Sequence, residues 1–390
     1  MKGTVKMKNH KIITSLRRGL TRKVGKIMLI SFSLISLCII TLAVILLVQS
    51  PGKVKPFLDK NGENIKGSIS QKVSVEINGV KMGMIIKSKN TSNPVLLFVH
   101  GGPGMPEYPL TETYPTELDE YFTVVWWDQR GAGLSYSSDI SAKTMTTKQF
   151  VSDTVEVTNY LGKRFGQDKI YLMGHSGGSY IAIQAAAKSP GLYHAYIGVG
   201  QISNLMESEK IAYEYMIKYY NTTDDKKTVK KLKATPIDTM NYLPYAYKKI
   251  RDKVMHRAGI GTTHKMKSVV SGIFMPVMQN RGYTLREKIN IWRGKAFSNS
   301  TVLNEELYRT DLSKTITKLD IPVYFFSGIY DYTVNYSMSE AYLKKLSAPV
   351  KGFYYFKESA HSPIFEEPKK VIHIMREDVL KCKNVLADTY

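Results

Sequence analysis

Apolar positions fall into short runs separated by turn-forming residues, and their period changes from run to run. Residues 72–78 and 81–87 flank Gly79 as the two arms of a β-hairpin. Residues 94–99, 122–127 and 169–174 are unbroken apolar runs of the kind that strands buried on both faces require. Residues 147–165 instead place Phe150, Val151, Thr154, Val157 and Leu161 at helical spacing, and 177–189 form a Gly-, Ala- and Ile-rich stretch. Residues 195–199, 323–327 and 352–356 continue the strand pattern, and 371–385 read as a closing helix. Strands and helices alternating over this length predict an α/β protein with helices on both faces of a doubly wound sheet.

Two stretches break the alternation. Between residues 203 and 312 the strand runs give way to Lys- and Tyr-rich helical patterns at 211–220, 226–233 and 245–257. Twenty Lys and Arg stand there against eleven Asp and Glu. An excursion of this kind between two strands of one sheet predicts an inserted helical cap, dividing a core of residues 71–202 and 313–390. The other break is at the front. Residues 27–48 carry no charge over twenty-two positions, and at about 1.5 Å per residue they can cross a hydrocarbon layer of roughly 30 Å.

Charge adds an orientation to that run. The formal net charge is +22, and residues 1–26 supply nine Lys and Arg with no acid. The apolar run exceeds the roughly 7–15 residues of a secretory core, and Leu47-Val48-Gln49-Ser50-Pro51 has no Ala-x-Ala character. The expectation is an uncleaved transmembrane helix, with residues 1–26 cytoplasmic and residues 49–390, starting with a 49–70 linker, outside the cell membrane. The rest of the excess positive charge forms no nucleic-acid motif and reads as a Lys-rich surface. Cys38 and Cys382 are too few for a disulfide framework or a four-cysteine zinc site, and the eight histidines include no His-Glu-x-x-His pair. No metal or organic cofactor is expected, and the pattern specifies no oligomeric state.

The chemistry is concentrated at strand ends. Gly174-His175-Ser176-Gly177-Gly178 follows one strand and precedes a helical stretch, the context that makes Gly-x-Ser-x-Gly a nucleophile elbow. His100-Gly101-Gly102-Pro103-Gly104 follows an earlier strand, where backbone N–H groups can build an oxyanion hole with that of Gly177. Beyond two later strands come Asp331 and then His361, the order in which an acid and a base follow the serine in such a sheet. Ser176, Asp331 and His361 are therefore expected as catalytic residues, with Gly102 and Gly177 as oxyanion donors. Gly101 and Trp127 are candidate substrate contacts. Glu207 is a candidate amine anchor, or with Asn204 a helix capping box. Asp128 and Arg130 are expected to form a structural ion pair.

His100–Gly104, the run Asp128-Gln129-Arg130-Gly131-Ala132-Gly133-Leu134-Ser135 and the Ser176 elbow together resemble the α/β-hydrolase superfamily, and within it the prolyl aminopeptidase (proline iminopeptidase) branch of serine peptidases. The resemblance covers residues 71–202 and 313–390. It implies a mostly parallel eight-stranded sheet with an inserted cap, and a nucleophile, acid and base at Ser176, Asp331 and His361. Two departures stand out. The branch has Gly before and Trp after the serine, where this chain has His175 and Gly177, a form common in esterases. Its amine-binding carboxylates have no traceable match in residues 203–312. The expected activity is a membrane-anchored aminopeptidase acting on small peptides or aminoacyl amides. The alternatives are a carboxylesterase or lipase-like hydrolase of small esters and, more remotely, a non-catalytic membrane-tethered binding module.

Overall fold

The computed structural model describes residues 2–237 and 243–389, with residues 2–22 described by backbone alone. A single helix, α1 (Lys2–Val48), runs through the basic and apolar segments. Among the described residues its part Lys23–Val48 is the one stretch long and apolar enough to cross a membrane.

The sheet has eight strands: β1 (Ile69–Ile77), β2 (Val80–Ser88), β3 (Val95–Val99), β4 (Thr123–Trp127), β5 (Ile170–His175), β6 (Tyr193–Val199), β7 (Val323–Gly328) and β8 (Lys351–Phe356). Their spatial order is β1-β2-β4-β3-β5-β6-β7-β8. The first two are antiparallel to their neighbours and the remaining pairs are parallel. Asn78 and Gly79, with φ of 46° and 72°, form the two-residue turn joining β1 to β2. That is the twist-matched hairpin connection Asn-Gly favours.

Strands β3, β4 and β5 are buried at every position, so successive residues feed opposite faces. Leu97 and Val99 pack with α2 (Thr147–Phe165) and α3 (Gly177–Lys188) through Val157, Leu161 and Ala182. Leu96 and Phe98 pack with Val371 and Ile372 on the other face. The chain between β6 and β7 forms α4 (Leu205–Thr222), α5 (Lys226–Lys233), α6 (Tyr245–Ala258), a wide helical turn Val270–Phe274 leading into α7 (Met275–Gln279), α8 (Leu285–Asn299), α9 (Val302–Arg309) and α10 (Leu312–Thr315). Helices α4 to α6 share a core of their own, built on Met216, Tyr220, Leu232, Tyr247 and Met255.

Three differences from expectation stand out. Helices α8 and α9 lie outside the helical patterns at 211–220, 226–233 and 245–257. After α11 (Tyr336–Lys345), β8 and α12 (Pro363–Glu366), the closing helix α13 (Pro368–Ile374) starts early and ends in one wide turn, Met375–Val379. Asp378 ends it, because its buried carboxylate accepts from the backbone N–H groups of Val385 and Leu386 and from the Tyr354 hydroxyl. This folds the tail back so that Thr389 bridges Phe353. The 49–70 linker is also docked. Pro51 bridges Thr284, Lys53 N–H donates to the Arg281 carbonyl at 3.0 Å, and β1 already begins at Ile69.

Candidate active site

In the sheet order, β4 lies on one side of β3 and β5 on the other, so the chain reverses direction between β3 and β5. Open α/β sheets bind ligands beyond the carboxyl ends of strands at such a point. The residues that follow β3, β5, β7 and β8 bring Gly101, Gly102, Ser176, Asp331 and His361 to this edge.

Ser176 occupies a turn with φ 54° and ψ −124°, a conformation L-residues seldom adopt, between β5 and the first residue of α3. The turn is tight because glycine stands two residues away on either side, at Gly174 and Gly178. A Cβ on Gly178 would fall 2.6 Å from the His100 carbonyl oxygen and would collide with that of Val99. Gly102 has φ +119°, which a side chain would strain, and its carbonyl oxygen lies 3.2 Å from where a Gly177 Cβ would stand. The two expected oxyanion segments therefore lie backbone to backbone.

Asp331 is fully buried and accepts from Val334 N–H at 2.9 Å, while its Oδ2 lies 2.8 Å from Nδ1 of His361. Ser176 and His361 line one cavity of about 430 Å³ together with Gly101, Gly102, Met255 and Tyr308. Among the described residues the Ser176 hydroxyl makes no hydrogen bond, to His361 or any other group. Catalytic contacts of this kind commonly tighten only when substrate is bound. A wider cleft of about 870 Å³, between Lys53, Lys87, Trp126 and Arg281, holds none of the expected site residues.

Two groups that sequence reading missed hold this edge together. Glu107 is buried; its Oε1 accepts from Gly101 N–H at 2.8 Å and its Oε2 lies 2.7 Å from His175 Nδ1. The other ring nitrogen of His175 lies 2.8 Å from the His361 carbonyl oxygen. Both nitrogens thus face acceptors, an arrangement that only the imidazolium satisfies. Burial opposes that charge, but the Glu107 carboxylate outweighs it and raises the His175 pKa above its ordinary value. Burial likewise works against the Glu107 anion, and His175 more than compensates, lowering its pKa. The pair ties the loops after β3, β5 and β8 into one unit. Glu366 supports the last of these, accepting from the N–H groups of His264, Ala360 and Ser362 at 2.6, 3.0 and 3.3 Å, while burial pushes its pKa up to about 7. No motif marked Glu107 or Glu366; a histidine before the serine, needing a buried partner, was the one available signal.

Other expected residues land elsewhere. Trp127 is buried in the sheet core with Met84 and Val125 and does not line the cavity, because β4 turns its side chain onto the helix-covered face. Glu207 is half-exposed on the first turn of α4 and pairs with Lys210 at 3.1 Å, outside the cavity. Only half of the expected capping box forms: Asn204 accepts from Glu207 N–H at 3.1 Å. Glu209, outside the cavity lining, is buried against Arg251 Nε at 2.7 Å and the Tyr247 hydroxyl at 2.8 Å. The acid on the helices that does line the cavity is Asp252, 2.8 Å from Arg251 Nη1. Asp128 and Arg130 do not pair with each other. Arg130 grips Asp153 through two nitrogens at 2.7 and 2.9 Å, and Asp128 accepts from Leu134 N–H and the Tyr283 hydroxyl. Among the described residues no group of three His, Cys, Asp or Glu could hold a metal ion.

Comparison with known proteins places this architecture. Residues 94–248 match the family described as the alpha/beta hydrolase fold. A probable aminopeptidase of Bacillus subtilis, YbaC, is 34% identical over 308 residues, covering 78% of this chain and 94% of that protein. A proline iminopeptidase of Saccharolobus solfataricus is 26% identical over 301 residues, covering 73% and 84%. A proline iminopeptidase-related protein from Thermus thermophilus superposes with a TM-score of 0.58 at 20% identity, over 80% of this chain and 98% of that one. The parallel sheet, the serine turn and a shared sequence spanning most of both chains lead to one assignment: this protein belongs to the α/β-hydrolase family.

Proposed function

We propose that the protein is a membrane-anchored serine hydrolase of aminopeptidase type that acts on small peptides or aminoacyl amides by two-step acyl transfer. The observation that carries this reading is that His361, 2.8 Å from buried Asp331, lines the same cavity as a serine held in a turn with positive φ. In this mechanism His361 takes the Ser176 proton as the hydroxyl oxygen attacks the substrate carbonyl, and Asp331 fixes the imidazole tautomer and stabilises the imidazolium. Gly101 N–H is already given to Glu107. The oxyanion is therefore assigned to the N–H groups of Gly102 and Gly177. His361 then protonates the leaving amine, and water releases the acyl group.

An aminopeptidase also needs an anion for the substrate ammonium. Asp252 takes that role in place of Glu207, since it lines the cavity and Glu207 does not. The helices between β6 and β7 act as the cap that closes over the site. Lys23–Val48 serves as an uncleaved anchor, and the nine Lys and Arg of residues 1–26 keep the N-terminus in the cytoplasm and the catalytic body outside.

The second reading is a carboxylesterase. It is favoured by the contact between Asp252 and Arg251, which leaves the cap carboxylate already partnered by a cation. The full-length protein in lipid nanodiscs, given a panel of aminoacyl anilides and short-chain chromogenic esters, separates the two. Turnover of aminoacyl anilides, lost in Ser176→Ala, is expected. Ester turnover with no anilide turnover would replace the peptidase reading by the esterase one.

A further inference from the structure

Four large apolar side chains stand exposed on two adjoining helical segments beside the catalytic cavity. Val270, Phe274 and Met275 are 62%, 40% and 42% exposed on the Val270–Gln279 segment, and Ile289 is 48% exposed on α8. Val270 and Phe274 are four residues apart and so share one face. The Phe274 ring lies 5.4 Å from that of Trp292, which fixes the segment against α8. Its flanks are cationic. Lys265, Lys267, Arg281 and Arg286 are exposed, and no Asp or Glu occurs between Asp252 and Glu287. An apolar face with an excess of basic residues at its flanks is the pattern of a helix that lies in a membrane interface; the exposed acid against it is Glu112, which accepts from Arg281 N–H at 3.3 Å.

The structure also fixes where this surface sits relative to the apolar helix. Lys288 is fully buried, and its ammonium donates to the Gln49 carbonyl at 3.1 Å, the Ser50 hydroxyl at 2.9 Å and the Met278 carbonyl at 2.7 Å. Gln49 and Ser50 directly follow the last residue of Lys23–Val48. Met278 is the penultimate residue of the exposed segment. One ammonium therefore fastens the end of the apolar helix to the exposed segment. Met275 lies about 4.5 Å along the helix axis from Met278, and Ile289 is the next residue after Lys288. A free tether would let the body drift from the lipid surface, but this clasp does not.

We propose that Val270–Gln279, together with Ile289, is an interfacial seat that dips into the outer headgroup layer of the bilayer crossed by Lys23–Val48. Its apolar face meets acyl chains, and Lys265, Lys267, Arg281 and Arg286 meet anionic headgroups. The inference rests on the membrane-anchor reading above. The same segment contributes Ile273 to the catalytic cavity, next to Val269 just before it, so the seat brings one wall of that cavity to the lipid surface.

The test is nitroxide accessibility in full-length protein reconstituted into phosphatidylcholine–phosphatidylglycerol vesicles. Labels are placed singly at Cys38, and by Val270→Cys, Met275→Cys and Asn221→Cys, with the other native cysteines replaced by Ser. Labels at 270 and 275 are expected to favour oxygen over a water-soluble nickel chelate, at a depth of about 5–10 Å. The label at 38 is expected deep in the bilayer and the label at 221 in water. Labels at 270 and 275 as chelate-accessible as that at 221, with position 38 deep, would overturn the seat and leave the anchor standing. Labels at 270 and 275 shielded from both reagents would assign the surface to a protein partner or a second copy and also overturn it. A water-exposed label at 38 would remove the anchor reading, and the seat with it.

Discussion

At the scale of single residues, the proposed mechanism separates groups that react from groups that hold them. Ser176→Ala removes the proposed attacking oxygen, and kcat/KM for any substrate is expected to fall by at least about 10⁴-fold in steady-state assays. Glu107 works differently, because its carboxylate spends itself on Gly101 N–H and His175 rather than on the substrate. Glu107→Gln keeps an acceptor for Gly101 but removes the charge that keeps His175 protonated. The expected result is a fall in kcat of about 10²-fold with KM little changed, the signature of a misplaced loop. An equal rise in KM would mean that Glu107 contacts substrate. Asp252→Asn is expected to raise KM for aminoacyl anilides about 10-fold, while Glu207→Gln leaves it unchanged. The opposite ranking would return the ammonium to Glu207.

Elements impose the next constraint. The elbow works because β5, Ser176 and α3 pass through a space with no room for a side chain at Gly178, so Gly178→Ala must displace either the β3 end or the helix. A loss of about 1–3 kcal/mol in unfolding stability is expected, with activity falling further than stability, since the serine moves with the helix. Unaltered kinetics would mean that the turn tolerates movement. Much at this scale was legible in the sequence. Buried parallel strands write themselves as unbroken apolar runs, and the strands from β3 to β8 lie within two residues of where those runs placed them. The Gly-rich motifs marked the turns for the same reason, that close backbone approach excludes a Cβ. What stayed hidden depends on contacts far along the chain. Asp378 ends the last helix by accepting from Val385 and Leu386, Arg130 chose Asp153 over the nearer Asp128, and Glu107 found His175 sixty-eight positions away. Helix α8 escaped because it is polar for much of its length and its apolar positions form no regular stripe: Ile289 is exposed, while Ile291 and Phe297 pack into separate clusters.

For the whole molecule, buried carboxyl groups make stability depend on pH. Burial raises Glu366 from its ordinary carboxylate range to about 7, so the folded state binds its proton more tightly than the unfolded chain. The stabilisation linked to this group is full below about pH 4.5 and is lost as pH rises through about 7. Glu366→Gln is expected to flatten that part of the stability curve in thermal unfolding across pH 4.5 to 7, leaving the contribution of Asp128, which burial also lifts to about 7. An unchanged slope would mean that Glu366 titrates as an ordinary surface acid. The loop it braces carries His361, so the stability of the body and the placing of that imidazole are linked.

The central claim is that Ser176, His361 and Asp331 act as one nucleophilic unit. Peptide mass spectrometry of the full-length protein after treatment with a fluorophosphonate tests it most directly. The account predicts a single modified residue, Ser176, with a labelling rate cut by at least about 10²-fold in both His361→Ala and Asp331→Asn. Modification of a different serine, or labelling of Ser176 at an undiminished rate in both variants, would contradict it.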